Sequence, residues 1–324
     1  MLQLLDLAGI YFRAFFAVPT SMTSPDGRPV NAVRGSLDIL ARVITDARPT
    51  RVIACLDLDW RPAWRVELIP TYKTHRVLEE QTAAAAAAEK ASTPHSGTPG
   101  LSADIEVVPD ELSPQVPILL EVLDALGIAT AGAAGFEADD VIGTLAATER
   151  RDPVEVVSGD RDLLQVAREG EPRITVRYIG AGMSKAQVYG AAEVAAKYGI
   201  PPGAYADFAA LRGDPSDGLP GVAGVGDKTA ATLINRFGSV EGLVEALDGR
   251  STGLTAGMRA KLGTAREYLL VAPKVVRVAV DAPVEVYRHD VLPREPVDPG
   301  RLSELIREHG IGGSTARLVR AMEG

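Results

Sequence analysis

Short apolar segments alternate with helix-forming stretches along the first 200 residues, and this alternation constrains the fold more than any other feature of the chain. The segments with the length and apolar character of strands are residues 2–6, 51–57, 128–131, 154–158 and 173–178. The clearest helical stretches are residues 31–46, 114–126, 138–149 and 191–198. Strands separated by helices are typical of a parallel sheet covered by helices. We therefore predict an α/β fold with a Rossmann-like parallel sheet.

Acidic residues fall where such a sheet would gather them at one edge. They are Asp6, Asp57, Glu137, Asp139, Asp140, Asp160, Asp162, Asp214 and Asp217. Several of them end a predicted strand or open the next helix, and open α/β sheets bind ligands at the carboxyl ends of their strands. Crowded carboxylates raise one another's pKa unless they are neutralised. Divalent cations are the obvious neutraliser, and two cations between carboxylates are the machinery of phosphodiester hydrolysis. The pattern predicts a nuclease.

The overall charge argues at first against a nucleic-acid partner. The chain has a formal net charge of -9 and a pI near 5.1. Setting aside the nine acids above leaves 34 acidic residues, which balance the 34 Lys and Arg residues. Local basic patches therefore matter more than the total. With 324 residues and 46% hydrophobic content, we expect one large domain and a smaller one.

Cysteine content and hydropathy limit the cellular context. A single cysteine excludes an internal disulfide framework and a cysteine-rich zinc site. Cys55 lies within an apolar strand segment, where we expect a small core residue. The N-terminus begins at once with a strand-like segment, and no apolar run approaches the ~20 residues of a membrane span. We expect a cytoplasmic protein.

Two regions depart from the alternating pattern. The first lies between residues 76 and 113 and contains six consecutive alanines, residues 83–88, followed by a tract rich in Ser, Thr, Pro and Gly. This composition cannot form a core of its own. Alanine favours helix, but a short isolated helix is marginal in water. A long excursion of this kind is usually either functional or disordered, and the sequence leaves both open.

The second region is a glycine-rich hairpin between two helical stretches, over residues 219–230. Its glycines Gly221, Gly224 and Gly226 let the backbone approach a phosphate closely. The helix that follows presents free N–H groups at its start, and Lys228 lies in its first turn. An ordinary tight turn between two helices is the alternative.

Six motifs, in this order and spacing, resemble the bacterial 5′ nuclease and flap endonuclease family, which includes the exonuclease domain that precedes DNA polymerase I in many bacteria. The likeness spans about residues 1–270 strongly and the remainder weakly. The motifs are Asp6 followed by Tyr11-Phe12-Arg13-Ala14-Phe15-Phe16-Ala17, then Asn31-Ala32-Val33, Tyr72-Lys73-Thr74-His75-Arg76, Glu137-Ala138-Asp139-Asp140-Val141-Ile142, Ser158-Gly159-Asp160-Arg161-Asp162-Leu163 and the glycine hairpin.

The resemblance implies a PIN-like nuclease domain over residues 1–200, with an arch-forming insert at about residues 76–113. It also implies a helix–three-turn–helix DNA-binding region and a C-terminal extension over residues 201–324. The implied activity is a structure-selective 5′ nuclease, acting as a 5′-3′ exonuclease and as a flap endonuclease. Its substrates would be DNA flaps, nicks and gaps in replication (Okazaki fragment processing) and repair. No polymerase domain follows in this sequence, so we expect a stand-alone, monomeric enzyme.

The resemblance also assigns roles to individual residues. Asp6, Asp57, Glu137, Asp139 and Asp140 would form a first metal site, and Asp160, Asp162, Asp214 and Asp217 a second. These oxygen donors, without His or Cys, favour Mg²⁺ or Mn²⁺. Many of them act through bound water in the family. Asp214, which precedes a proline, has the alternative role of a turn or helix cap.

Basic and aromatic residues complete the implied site. Lys73 would stabilise the developing charge on the scissile phosphate, and Arg76, three residues on, would share its helix face and position the same strand. Tyr72 is a candidate for stacking on a displaced base. Arg13 is a weaker phosphate-binding candidate, since a helix cap or an ion pair is equally compatible with its position.

The hairpin would grip duplex phosphates without reading sequence. The resemblance assigns this role to Gly221, Gly224, Gly226, Lys228 and Thr229, with a K⁺ ion held by backbone carbonyls of residues 221–226. Four further basic residues would extend the track or simply form a solvated helix face: Arg236, Arg259, Lys261 and Arg266.

Two departures from the family pattern affect the expected grip on the flap. Gly218 stands where Asn is usual, and His75 stands where Asn is common. Two other functional classes stay open at this point. One is a DNA-binding module with impaired catalysis, and the other is a PIN-like ribonuclease that uses the same cleft on RNA. A toxin-type ribonuclease would be shorter and would lack the hairpin.

Overall fold

A computed structural model describes residues 1–77, 109–249 and 253–324. Its centre is a seven-stranded sheet with the order β6-β5-β4-β1-β2-β3-β7. The strands are β1 (Leu2–Asp6), β2 (Arg51–Cys55), β3 (Ala129–Gly132), β4 (Val154–Ser158), β5 (Ile174–Tyr178), β6 (Gln187–Tyr189) and β7 (Glu285–Val286). The first five pair in parallel, whereas β6 and β7 add to the two edges in antiparallel orientation. The predicted parallel sheet is confirmed, and the two edge strands are additional to it.

The helices lie on both faces of the sheet and in a separate helical region. The sheet domain contains α1 (Leu7–Ala17), α2 (Asn31–Ala47), α3 (Ala63–Leu68), α4 (Gln115–Leu126) and α5 (Ala138–Thr148). The helical region contains α6 (Ala191–Tyr198), α7 (Tyr205–Arg212), α8 (Asp227–Phe237), α9 (Val240–Asp248), α10 (Ala256–Thr264) and α11 (Arg266–Val276). Two C-terminal helices follow, α12 (Pro299–His309) and α13 (Gly312–Glu323).

Alternating side chains of the strands build two cores, one on each face of the sheet. On β1, Leu4 packs into the core shared with α5 and the helical region, and Leu5 packs into the core shared with α1, α2 and α4. Both leucines are fully buried. Because adjacent strand residues face opposite sides, both faces of a sheet covered on each side are apolar. Continuous apolar runs in the sequence follow from this arrangement.

The C-terminal helices return to the sheet domain. Helix α13 packs against α2, and α12 packs against α4. Strand β7 extends the sheet beyond β3, and Val52 donates its N–H to the carbonyl of Asp290. Residues 285–323, which belong to the predicted C-terminal extension, therefore pack on the sheet domain.

Most of the predicted arch-forming insert, including the alanine run and the Ser/Thr/Pro/Gly tract, lies outside the described residues. Among the residues that the structure describes, no helix combines the length and the apolar character needed to cross a bilayer.

Candidate active site

A large cleft opens at the carboxyl ends of the strands, with a volume of about 2010 Å³. It is bordered by α1, by the segment after β2 and by the turn that precedes the hairpin. Six of the nine predicted acidic residues line it: Asp6, Asp57, Glu137, Asp139, Asp160 and Asp214. The structure thus brings together acids that are as far apart in sequence as residues 6 and 214.

Short polar contacts fix the first two of these carboxylates. Asp6 closes β1 and caps α1, where it accepts the Gly9 N–H at 2.8 Å. Its other oxygen accepts the Ser158 hydroxyl at 2.7 Å. Asp57, two residues beyond β2, accepts the Ala138 N–H at 2.6 Å. Both side chains are therefore held by backbone at the edge of the sheet.

The carboxylates of the cluster have too few positive groups around them to balance their charge, and their pKa values are raised. Burial raises the pKa of Asp139 well above its usual value, and the neighbouring Asp160 and Asp6 raise it further. Burial, with a contribution from Glu137, raises the pKa of Asp57 to about 7, although Lys73 opposes the shift. These are the effects expected of carboxylates that share a cleft without enough positive charge.

Asp162 and Asp217 lie beside the cleft rather than in its wall. Burial and the charge of Asp160 raise the pKa of Asp162, and Asp162 Oδ1 is buried with no hydrogen-bond partner among the described residues. Burial also raises the pKa of Asp217 to about 6, with Asp160 and Glu137 adding to the shift and Lys73 opposing it. An orphaned carboxylate oxygen next to like charges fits a site built for cations.

No three His, Cys, Asp or Glu side chains within residues 1–77, 109–249 and 253–324 are arranged to hold one ion directly. The donor chemistry itself, carboxylate oxygens without His or Cys, suits hard divalent cations.

Lys73 reaches the cluster, but not from a helix face. Its backbone is left-handed, with φ 48°, and it precedes a single 3₁₀ turn at Thr74–Arg76. The expectation that Lys73 and Arg76 share a helix face is therefore wrong. Lys73 Nζ donates to Glu137 Oε1, and its N–H donates to the carbonyl of Asp217 at 3.0 Å.

Arg76 and Gly218 join this segment to the turn before the hairpin. Arg76 lines the cleft and donates to the carbonyl of Ser216 at 3.1 Å. Gly218 has φ +71°, and a Cβ there would lie 2.2 Å from the carbonyl oxygen of Thr71. Glycine at this position lets the two segments approach closely, which accounts physically for the departure from Asn.

Tyr72 does not present its ring to a displaced base. It is 2% exposed, packs in the core, and donates its hydroxyl to Glu137 Oε2 at 2.8 Å. A stacking role needs an accessible ring face, so this prediction is wrong. Tyr72 instead helps to fix Glu137.

Asp140 is turned away from the cleft. It is fully buried and forms a bidentate pair with Arg65, with N···O distances of 2.6 and 2.8 Å. It also accepts the N–H groups of Glu137 and Ala279. With both oxygens engaged by these donors, Asp140 does not fit the metal site to which we assigned it.

Several cleft residues were not singled out from the sequence. Arg161 and Arg212 line the cleft, and Arg212 donates to Asp214 at 3.2 Å. The predicted Arg13 also lies in the cleft wall, close to Gly159, and its Nε is buried without a hydrogen-bond partner among the described residues. The one sequence signal for Arg161 and Arg212 is that they lie next to acidic motifs along the chain.

The hairpin adjoins the cleft through Asp227, which opens α8 and lines the cavity. Val222 and Val225 are buried, whereas Gly224, Gly226 and Lys228 are exposed and Gly221 and Thr229 are partly exposed. Gly221 has φ +64°, and a Cβ there would lie 2.5 Å from the Gly213 nitrogen. The apolar residues anchor the turn, Gly221 packs against Gly213, and Gly224 and Gly226 face outward.

The more distal basic residues are partly engaged within the protein. Lys261 Nζ lies next to Gly224, whereas the Arg236 guanidinium lies against Gly253. Arg259 donates to the carbonyls of Ala246 and Leu247, and Arg266 pairs with Asp248 at 2.7 Å. Of these four residues, Lys261 is the one that lies beside the hairpin.

Known protein families match the sheet domain and the helical region of this chain separately. A family model described as 5′-3′ exonuclease, N-terminal resolvase-like domain matches residues 1–199, and one described as 5′-3′ exonuclease, C-terminal SAM fold matches residues 200–299. The chain belongs to the 5′-3′ exonuclease family. It is 54% identical to a 5′-3′ exonuclease of Mycobacterium tuberculosis, over 99% of this chain and 98% of that protein.

Two further comparisons extend the likeness. DNA polymerase I of the same organism is 38% identical over 81% of this chain and 26% of the polymerase. A bacteriophage T5 flap endonuclease, solved as a pseudo-enzyme–product complex with DNA and metal ions, superposes with a TM-score of 0.59 at 14% identity, covering 100% of this chain and 99% of that one. The predicted family, the nuclease class and the two-part fold are confirmed.

Proposed function

We propose that this exonuclease-family protein is a structure-selective 5′ nuclease that hydrolyses DNA near single-strand/duplex junctions, as a 5′-3′ exonuclease and a 5′ flap endonuclease. One observation carries the proposal: under-neutralised carboxylates, Lys73 and the approach to the glycine hairpin all border one cleft. The T5 flap endonuclease, whose fold this chain shares, was solved with DNA and metal ions. The proposed setting is the cytoplasm, in replication and repair, with the protein acting as a monomer.

Two divalent cations, Mg²⁺ or Mn²⁺, are the proposed cofactors. Asp6, Asp57, Glu137 and Asp139 would hold the first, and Asp160, Asp162, Asp214 and Asp217 the second, in part through water. When bound, such a pair supplies activation of the attacking water and stabilisation of the departing oxygen. Burial, together with neighbouring carboxylates, raises the pKa values of Asp139 and Asp162, and this supports the assignment because a bound cation would stabilise both charged groups.

Positive side chains around the carboxylates would bind the scissile strand. Lys73, already directed into the cluster by Glu137, is placed to stabilise charge on the phosphate. Arg76, 3.9 Å from Asp217, would hold the same strand on the side of the hairpin. Arg13 has an unpaired Nε among the described groups and would contribute a further phosphate contact.

The hairpin would grip the duplex beside the cleavage point. Gly224 and Gly226 are exposed and Gly221 is partly exposed, and Lys228 and Thr229 follow in the first turn of α8. Contacts of this type position a duplex without reading its sequence, and they weaken as salt rises. We also propose K⁺ at residues 221–226, held by backbone carbonyls.

A flap-cleavage assay tests the function. The substrate is a 5′-labelled flap duplex with a one-nucleotide 3′ overlap, incubated with Mg²⁺, Mn²⁺ or EDTA, beside the variant Asp139→Asn. Metal-dependent cutting at the junction, lost in the variant, is the expected result. Tight flap binding without cleavage in either metal would contradict it and indicate a binding module. Cleavage of an RNA 5′ strand but not of DNA would indicate a ribonuclease.

A further inference from the structure

Arg65 is a buried cation at the back of the proposed site. It lies on the short helix α3 and is 2% exposed. Its guanidinium donates to both oxygens of Asp140 and, at 2.8 Å, to Glu137 Oε2. Its Nε donates to the carbonyl of Val275 at 2.9 Å. A planar guanidinium with this fork geometry fixes several partners at once, which an ammonium group cannot do.

Glu137 connects Arg65 to Lys73. One oxygen of Glu137 accepts from Arg65 and from the Tyr72 hydroxyl, and the other accepts from Lys73 Nζ. Glu137 is itself 4% exposed, so its carboxylate has little freedom to move. The position of Lys73 Nζ in the cleft therefore depends on where Arg65 holds Glu137.

The same ion pair attaches the helical region to the site. Asp140 accepts the Ala279 N–H at 2.8 Å, and Arg65 binds Val275, so the pair holds both ends of the segment that leaves α11. Near the start of α11, Tyr268 donates its hydroxyl to the carbonyl of Ala210 and accepts the N–H of Gly221 in the hairpin. A continuous set of hydrogen bonds and one helix thus joins the hairpin to Glu137.

We propose that Arg65 is a positioning residue for cleavage, which holds Glu137 and, through it, Lys73 at the scissile phosphate. Asp140 is its counter-ion and not a metal ligand. The inference rests on the proposed nuclease function and adds to it a residue behind the cleft. Groups that orient the residues of a metal site typically change activity by about 10- to 100-fold when altered.

The test compares Arg65→Lys and Asp140→Asn with Arg51→Lys as a matched control. Arg51 is also a largely buried arginine paired with three carboxylates, but it lies at the opposite end of the sheet. Single-turnover flap cleavage at saturating DNA is measured well below each variant's unfolding midpoint. Mn²⁺ binding to the free protein is followed by electron paramagnetic resonance, and thermal unfolding is recorded without metal.

Arg65→Lys and Asp140→Asn are expected to slow cleavage by about 10- to 100-fold, with little change in the DNA concentration for half-saturation. The double variant is expected to be no slower than the slower single variant, because the two residues act as one unit. Both single variants should bind as many Mn²⁺ ions as wild type. Arg51→Lys should lower the unfolding midpoint and leave the cleavage rate unchanged.

Different outcomes separate the inference from the function. Loss of a bound Mn²⁺ in Asp140→Asn but not in Arg65→Lys would make Asp140 a metal ligand and overturn the inference. The inference would also be overturned if wild type cleaved the flap and Arg65→Lys were fully active. It would be overturned as well if Arg65→Lys and Arg51→Lys lost cleavage rate to the same extent for the same drop in unfolding midpoint. A wild-type protein that fails to cleave the flap would instead overturn the proposed function.

Discussion

Groups of acidic side chains lie at both ends of the central sheet, and the protein neutralises them differently. At the amino end, Arg51 pairs with Glu149 at 2.7 Å, Asp152 at 2.9 Å and Asp290 at 2.6 Å. At the carboxyl end, the carboxylates of Asp57 and Asp139 face a cleft with raised pKa values. Carboxylates therefore hold structural elements together at the amino end of the sheet. At the carboxyl end they carry negative charge that the protein does not balance and that a bound ligand could neutralise.

The amino-end cluster has a structural consequence. Arg51 opens β2, Glu149 ends α5, and Asp290 belongs to the segment after β7. The ion pairs thus fasten the returning C-terminal segment to the sheet. Removing Arg51 would leave three clustered carboxylates without their shared cation, and removing one carboxylate would weaken the network, so either change is costly. The cleft behaves oppositely, because removal of one of its carboxylates relieves repulsion.

The largest expected effect separates the two clusters directly. Asp139→Asn is expected to lower the flap-cleavage rate by between about 100- and 1,000-fold, since it removes charge from the reacting centre. The metal-free variant should unfold at a higher temperature than wild type, because burial and like charges disfavour the Asp139 carboxylate. Flap cleavage and thermal unfolding without metal measure the two quantities.

Asp152→Asn is the control for that prediction. It removes a carboxylate from the amino-end cluster, so it should lower the unfolding midpoint and leave cleavage intact. If both substitutions destabilised the metal-free protein to the same extent, the contrast between the two ends of the sheet would be lost.

The second prediction concerns the pH dependence of the amino-end cluster. Burial opposes the shift, but the backbone N–H of Arg151 and the Arg51 guanidinium lower the pKa of Glu149 from 4.5 to about 2. Because the pKa is lower in the folded state, the Glu149 charge stabilises the fold at pH values above the unfolded-state pKa. This stabilisation is lost as the pH falls toward the folded-state pKa. Glu149→Gln should therefore reduce the free energy of unfolding by up to about 3 kcal/mol at pH 7.

Urea unfolding at a series of pH values checks this. The difference between wild type and Glu149→Gln should shrink steadily as pH falls from 4.5 toward 2. A difference that stayed constant over this range would show that the Glu149 charge contributes nothing, and that only the shape of the side chain matters there.

A smaller effect is expected at the hairpin, where the charge of Lys228 would contact DNA phosphates and does not neutralise either group of carboxylates. Lys228→Ala should weaken duplex binding and lower the slope of log affinity against log salt concentration by about 1. Fluorescence anisotropy with a labelled flap duplex at several salt concentrations measures the slope. Lys274→Ala, another exposed helix lysine, is the control and should leave it unchanged. Equal slopes for Lys228→Ala and wild type would exclude the proposed phosphate contact.

The sequence predicted the central strands well, because they are short and mostly apolar, and β1 and β4 are buried along their whole length. It did not predict β6 and β7, which have only three and two residues and largely exposed side chains. Such short edge strands carry almost no hydrophobic pattern. The return of α12 and α13 to the sheet depends on long-range packing that local periodicity does not encode.

The site was predictable in its carboxylates and not in their orientation. Asp139 and Asp140 are adjacent on α5, and consecutive helical residues point about 100° apart. One of the two therefore faces the cleft while the other faces Arg65. Arg65 precedes Glu137 by 72 residues, so no local motif joins them. Likewise, the left-handed backbone at Lys73 is unusual for a lysine, and no sequence rule anticipates it.

The smallest expected effect concerns Tyr72. It lies in the same sequence motif as Lys73, but like the amino-end cluster it contributes to stability and does not bind a ligand. Its hydroxyl binds Glu137 from within the core, so Tyr72→Phe should cost about 1 kcal/mol of stability. The exposed Tyr287→Phe is the control and should cost nothing measurable. Tyr72→Leu removes the ring while keeping an apolar core residue, and its flap affinity should equal that of wild type under conditions where it is folded. A loss of about 1–3 kcal/mol in flap binding would reinstate base stacking and place Tyr72 with the carboxyl-end group.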